Sequence, residues 1–289
     1  MKAVALNISA WMLLPVMDGI AKHLSSEIHF LQVVWGRYFF MVIISLPFTY
    51  FFFNTHLRWP RNFYIQFARS IFLFLSTILF FYAISVISLA ESLTLAFVSP
   101  IIVTLLSSVI LKEKVGIRRW SAVVFGFIGA MIVVRPGFNE INMATIAGLG
   151  TGISYAFYII STRKLSSLDS PLLTLIFTGL SGAIFVSCII PIFWTSLNPI
   201  QWILLIALAG VGTLGHLLLI LSLNFAEASK LAPLAYFEIV TNIIIGYIFF
   251  NDFPNKWIWL GLLFIISSGI YISIRENIKK QKISDPSFH

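Results

Sequence analysis

The sequence predicts an all-α polytopic membrane protein of ten transmembrane helices, arranged as two inverted five-helix repeats. Three observations predict it. Charged residues make up only 10% of the 289 positions, against 59% hydrophobic and a mean hydropathy of +0.96, whereas a soluble domain carries about a quarter charged residues. The charges are clumped, and the apolar stretches between them are about twenty residues long, enough to cross a bilayer core. One phrase is written twice: VSPIIVTLLSSVILKEKVGIRRW at 98–120 and FEIVTNIIIGYIFFNDFPNKWIW at 237–259 share a layout. Glu113 and Asp252 stand 139 residues apart in it, as do Trp120 and Trp259. Runs such as SAVVFGFIGAMIVV do not alternate, which excludes a β-barrel.

Cutting at charged or turn-rich connectors gives the spans in order. Span one, 3–21, contains Pro15 and Asp18. It is only weakly basic at its start and no small-residue cleavage site follows, so it reads as a retained helix rather than a signal peptide. Span two, 30–52, carries Arg37, and span three, 63–84, carries Arg69. Span four, 89–111, opens with Glu91, a solvated or capping position, and holds Pro100 mid-way. Span five, 118–135, has Gly126 with Ala130, and span six, 144–162, has Gly148 and Gly152 four apart. Span seven, 171–193, carries Gly179, Gly182 and the single Cys188, so no intramolecular disulfide is possible. These small-residue faces let helices approach closely. Span eight, 201–222, contains His216; span nine, 229–250, contains Pro233, Tyr236 and Glu238; span ten is 257–274. Connectors such as HLRWPRN, KEKVGIRR, FNEIN and NDFPNK leave no room for a soluble domain.

Lysine and arginine orient the chain. With the N-terminus inside, cytoplasmic segments hold fourteen of the nineteen basic residues and external segments three: Lys22, Arg135 and Lys256. That bias places both termini in the cytoplasm. The net charge of +8 therefore reflects membrane orientation, and no nucleic-acid partner is expected.

The doubled phrase covers spans four and five, then nine and ten. A fainter echo joins AKHLSS at 21–26 to TRKLSS at 162–167, offset 141. Each copy thus holds five spans, residues 1–139 and 140–289, the second ending in a short basic tail. An odd number of spans inverts the second copy, an arrangement found in secondary transporters, whose site lies near the midplane between repeats.

The residues then carry a family likeness. An arginine in VVWGRYFFMVIISLP is followed by ARSIFLFLSTILFFYAISVISLAESLTLAFVSPIIVTLLSSVILKEK, a glycine-rich span five ending in RPG, and GHLLLILSLNFAEASKLAPLAYFE. Over roughly 3–275 the chain resembles a ten-helix member of the drug/metabolite transporter superfamily, EamA type. The resemblance implies a basket of helices around a central cavity, working by alternating access. Within the family, DGIAKHL and AYFEIV resemble the branch that contains bacterial S-adenosylmethionine uptake carriers.

A charge at the centre of a span costs roughly 2.5–3.5 kcal/mol, so it faces a cavity or a partner. Glu238 lies deepest, roughly 12 Å from the cytoplasmic edge at 1.5 Å per residue. It stands where the first copy has Ser99, and that broken symmetry makes it the leading functional candidate. Asp18 and Lys22, spaced i,i+4, can pair on one helix face. Arg37 and Arg69 are read equally as helix braces and as ligand contacts, and His216 equally as a satisfied core residue and a functional one. Of the 28 Phe, 9 Tyr and 8 Trp, Trp59, Trp120, Trp202, Trp257 and Trp259 sit at span ends as an interfacial belt. Trp11, Trp35, Tyr82, Phe97, Tyr155, Tyr158 and Tyr236 lie nearer the expected site, where rings suit a cationic or aromatic solute. Pro100 and Pro233 each remove a helical hydrogen bond and permit bending.

The expected solute contacts are Glu238, Tyr236, Trp11, Asp18, Arg37, Phe97, Ser99, Tyr82, Tyr155, Tyr158 and Asn242. The expected coupling or gating residues are Glu238, Lys22, Arg69, His216, Pro100 and Pro233. The function expected is secondary active transport of a small polar, zwitterionic or cationic, amino-acid-like metabolite. The alternative is uptake or exchange of S-adenosylmethionine or a related nucleoside cation. A channel or non-transporting scaffold is more remote, and no HExxH, paired intramembrane aspartates or serine–histidine arrangement suggests an enzyme. No cofactor or metal is expected; the partners are a solute and the bilayer, and the chain is a monomer or weak homodimer.

Overall fold

In the computed structural model the described residues are 2–53, 59–87, 89–134 and 142–250, with 256, 257, 259–261, 263, 264 and 267. All regular structure among them is helical. The helices are α1 (Lys2–Ser25), α2 (Phe30–Phe53), α3 (Phe63–Val86), α4 (Leu89–Ala96), α5 (Ser99–Val109), α6 (Ile117–Val134), α7 (Met143–Leu165), α8 (Pro171–Ile189), α9 (Pro199–Phe225), α10 (Ala228–Leu231) and α11 (Glu238–Phe250). Among the described residues, six helical segments are long and apolar enough to cross a membrane: 2–25, 30–47, 63–86, 143–165, 171–192 and 199–225. The protein is therefore a multi-pass helical membrane protein. Most of span ten, Asp252 and the Glu91 side chain lie outside the described residues.

Short polar residues start these helices where the sequence places its connectors. Asn62 caps α3, Asn142 caps α7 and Ser170 caps α8, each accepting a main-chain N–H three residues on. Asn198 and Gln201 cap α9 reciprocally, with Pro199 in its first turn. Such caps satisfy N–H groups that a helix start leaves without partners.

Two expected spans are not continuous helices. Span four breaks between α4 and α5 at residues 97–98, with Pro100 in the first turn of α5. Span nine is α10, then a 3-10 helix over Ala232–Phe237 with Pro233 in its first turn, then α11. Proline lacks an N–H, so each one restarts a helix where it would interrupt one. The starts of α5 and α11, at Ser99 and Glu238, fall 139 residues apart at corresponding places, whereas Pro100 and Pro233 do not correspond.

The halves of the chain interleave. The two most extensive helix packings are α1 on α9 and α3 on α7, both between halves. Shifting either pair by the sequence's own offsets gives the other. Two finer contacts obey the same offsets. Lys22 Nζ donates to the carbonyl of Ile84 and, at 3.1 Å, to that of Ile87, where α3 ends. Arg163 Nη1 donates to the carbonyl of Leu223, near the end of α9, at 2.6 Å. The rings of Phe97 and Tyr236, 139 residues apart in sequence, meet each other at 5.7 Å.

Close approach at the first break depends on Gly152. A Cβ there would lie 2.7 Å from the carbonyl oxygen of Ala96 and 2.6 Å from Val98 Cγ1. Main chain cannot yield as a side chain end can. Gly152→Ala is expected to lower stability by about 1–3 kcal/mol, read as an earlier melt of the detergent-solubilised protein, whereas Gly116→Ala, with nothing within 4 Å, is the neutral control.

Candidate functional site: a charged cavity between the two breaks

A cavity of about 90 Å³ lies where the broken segments meet α1, α2, α3, α7 and α9. Of the expected residues it is lined by Trp11, Asp18, Arg37, Phe97, Ser99, Pro100, Tyr155, His216 and Glu238. Asp18 is 4% exposed, Arg37 5% and Glu238 8%. The carboxyl groups of Asp18 and Glu238 adjoin within hydrogen-bonding reach. Glu238 begins α11 directly after the 3-10 helix, its main-chain N–H bonded back to Ala235 and Tyr236.

Arg37 stands in the same cavity, yet among the described residues it makes no ion pair within 4.0 Å with either carboxylate. Its guanidinium is held instead by neutral acceptors. Nη1 donates to Thr77 Oγ1 at 2.8 Å and Nη2 to His216 Nε2 at 2.6 Å. Its faces lie over the rings of Tyr38 and Phe81, at 5.5 and 5.7 Å.

The aromatic wall is partly as expected. Trp11 Nε1 donates to Asn7 Oδ1 at 3.0 Å, which orients the indole against Tyr155 at 5.8 Å. The Tyr155 hydroxyl is buried without a partner among the described residues. Beyond Trp11, Tyr155 and Ala235 a second pocket of about 20 Å³ extends to Ala228 and Leu231.

Several expected contacts lie elsewhere. Tyr236 packs behind Phe97, and Tyr158 sits behind His216, with its hydroxyl 3.2 Å from Nδ1. Tyr82 lies tilted against Phe30, and the Asn242 amide donates to the Glu238 carbonyl on its own helix. Trp35 joins a peripheral cluster with Trp194 and Trp202. Pro233 is buried in the 3-10 turn outside the cavity wall. Lys22 does not pair with Asp18; it binds the carbonyls ending α3. Arg69 is fully buried away from the cavity. It donates to Thr162 Oγ1 (2.7 Å), the Thr174 carbonyl (3.1 Å), Tyr158 Oη (3.2 Å) and Thr178 Oγ1, bracing α3, α7 and α8. Ser76, Thr77 and Thr151 line the cavity without having been singled out. Their signal was helical spacing from Arg69 in one case, and from Tyr155 in the other.

Family comparison agrees with this architecture. Residues 3–135 and 142–274 each match the EamA-like transporter family. The chain belongs to that family. Among EamA-like relatives, the S-adenosylmethionine uptake transporter of Rickettsia conorii is 26% identical over 271 residues, 92% of either chain. The riboflavin transporter of Vibrio cholerae serotype O1 is 30% identical over 193 residues, 66% of this chain and 65% of its own. A solved crystal structure matches with a TM-score of 0.76 at 14% identity, covering 98% of both chains, a likeness of fold alone.

An ionic cluster ties the α5–α6 connector of this EamA-like chain to the start of α10. Glu113 accepts the main-chain N–H groups of Ala228 and Ser229, both at 3.1 Å, and the Ser229 hydroxyl at 2.7 Å. Arg163 Nε lies 3.6 Å from the same carboxylate. Burial pushes the neighbouring Glu227 carboxyl up, but Arg119 at 2.7 Å and Lys230 at 3.3 Å outweigh it and hold it below its ordinary 4.5. A carboxyl held down stabilises at neutral pH, and that contribution is lost as the pH falls below this range.

Proposed function

We propose that this protein is a secondary active transporter that moves a small zwitterionic metabolite by alternating access. The observation that carries the reading is the separation of charge: the buried Arg37 guanidinium and the adjoining Asp18 and Glu238 carboxyls share a cavity with no ion pair between the two sets. Burying unpaired charge is costly, and a solute with an anionic and a cationic end would complete both sets of contacts at once. The Tyr155 hydroxyl and the Trp11 ring offer such a solute a hydrogen bond and a cation–π face.

A second reading is favoured by the charge count. The adjoining Asp18 and Glu238 carboxyls share a proton while no solute cation is near, and a solute with two positive groups and one negative would let both ionise opposite Arg37. S-adenosylmethionine has that pattern in its ammonium, sulfonium and carboxylate, and relatives aligned over nearly the whole chain are named for its uptake. Relatives named for riboflavin offer the contrasting case, a neutral solute. A thermal-shift panel of amino acids, S-adenosylmethionine and riboflavin on purified protein, followed by flux in liposomes, tests the reading. A stabilised melt and saturable flux with a zwitterion support it; a response to riboflavin alone overturns it.

The reading includes ten helices in two inverted repeats, residues 1–139 and 140–289, with both termini cytoplasmic. The matched helix restarts, the Lys22 and Arg163 contacts and the Phe97–Tyr236 contact support the repeat, and the basic connectors support the orientation. In that frame the Glu113 cluster closes the cytoplasmic end, beneath the second pocket. With Cys188 replaced by Ser, an Ala232→Cys thiol in that pocket reports closure. Adding Glu113→Gln is expected to raise its labelling by a cytoplasmic-side reagent about tenfold, as loss of a charged hydrogen-bond acceptor implies. Unchanged labelling would remove Glu113 from the gate.

A further inference from the structure

The hydrogen-bond directions around Arg37 are set by chemistry. A guanidinium has donors and no acceptor, so the ring nitrogen it meets at 2.6 Å, His216 Nε2, carries the lone pair. The proton of the neutral ring is then on Nδ1, directed at Tyr158 Oη 3.2 Å away. The Tyr158 oxygen also receives Arg69 Nη2, so its two acceptor sites are taken by His216 and Arg69. On the other side of Arg37, Thr77 Oγ1 gives its proton to the Leu73 carbonyl at 2.9 Å. It is therefore free to accept from Arg37, and from Tyr38 Oη at 2.9 Å. Each acceptor on Arg37 thus has its remaining bonds assigned, and neither can turn away without breaking one.

We propose that His216 is a positioning residue: its Nε2 lone pair, acting with Thr77, locks the Arg37 guanidinium so that its remaining N–H groups face the cavity and meet the anionic end of the solute. This rests on the reading of Arg37 as the anion-binding arm. The bond joins α9 to α2, elements from the two halves of the chain, and lies on the wall of the cavity itself. A histidine that merely filled space would need neither a single tautomer nor a guanidinium partner.

Two measurements test it, one of them without any solute. Nitrogen-15 spectra of the histidine-labelled protein, with the His216 signal assigned by its loss in His216→Gln, should give one neutral tautomer protonated at Nδ1. Arg37→Met should release that tautomer. A ring protonated at Nε2, at both nitrogens, or unaffected by Arg37→Met overturns the proposal. In binding assays with S-adenosylmethionine, His216→Ala should weaken affinity about ten- to hundredfold. His216→Gln, whose oxygen reaches the place of Nε2, should recover most of it. The analogue lacking the carboxylate should bind both variants as it binds the unaltered protein. Equal losses for both solutes, or no recovery with Gln, mean that His216 serves packing alone and overturn the positioning role. If S-adenosylmethionine does not bind the unaltered protein, the solute reading fails, and the tautomer measurement alone upholds or overturns the His216–Arg37 lock.

Discussion

Glu238→Gln is expected to abolish measurable transport while the protein still folds and inserts. The substitution keeps the size of the side chain and removes one of two buried carboxyls in the cavity. Truncating one partner of a buried charge contact costs about 2–5 kcal/mol, or roughly thirtyfold to several thousandfold in affinity. Asp18→Asn should act in the same direction, because Asp18 adjoins Glu238 and meets the same cationic end. The two losses should not add, since neighbouring groups in one network couple. Flux in liposomes, with melting temperature as the control for folding, checks this. Flux like that of the unaltered protein in Glu238→Gln would remove Glu238 from the site.

The second large effect is on stability and lies outside the cavity. Arg69→Ala is expected to destabilise the protein by about 3–5 kcal/mol. Interhelical hydrogen bonds in membrane proteins are worth about 0.6–2 kcal/mol each, and Arg69 makes four, to partners on α7 and α8. Its removal also leaves a void beneath the Tyr158 ring, over which the guanidinium sits at 4.7 Å. Arg69→Lys should keep part of this, since an ammonium cannot reach all four acceptors at once. The melt in detergent measures both. An Arg69→Ala protein as stable as the parent would show that the brace contributes nothing.

How far the sequence revealed the site follows from what each residue type can do alone. Glu238 was legible because a repeat supplies its own reference: the same frame has Ser99, so the carboxylate stood out. Pro100 and Pro233 were legible because proline cannot continue a helix, and both begin new ones. Lys22 misled, since its spacing to Asp18 is right for a pair. The last carbonyls of a helix lack intrahelical partners, and the end of α3 provides two of them to the lysine. Asp18 is thereby left facing the cavity. Arg37 and Arg69 looked equivalent as buried arginines; only packing separates a residue on the cavity wall from one enclosed by three helices. Ser76, Thr77 and Thr151 gave little signal because hydroxyls within a span satisfy themselves on nearby carbonyls, as Thr151 does on Ala147 at 2.9 Å. Of the ten expected spans, four and nine are broken rather than straight, because hydropathy measures apolar length and not helix continuity.

The central claim is that one solute bridges Arg37 to the Asp18–Glu238 pair, and affinity for a matched set of solutes tests it most directly. Binding of S-adenosylmethionine should be compared with its carboxylate-free and amine-free analogues, on the unaltered protein and on Arg37→Ala. The account predicts that each analogue binds the unaltered protein at least about thirtyfold more weakly. It also predicts that loss of the carboxylate costs nothing further once Arg37 is gone. Analogues that bind as tightly as the parent, or a carboxylate whose removal costs the same with and without Arg37, would contradict it.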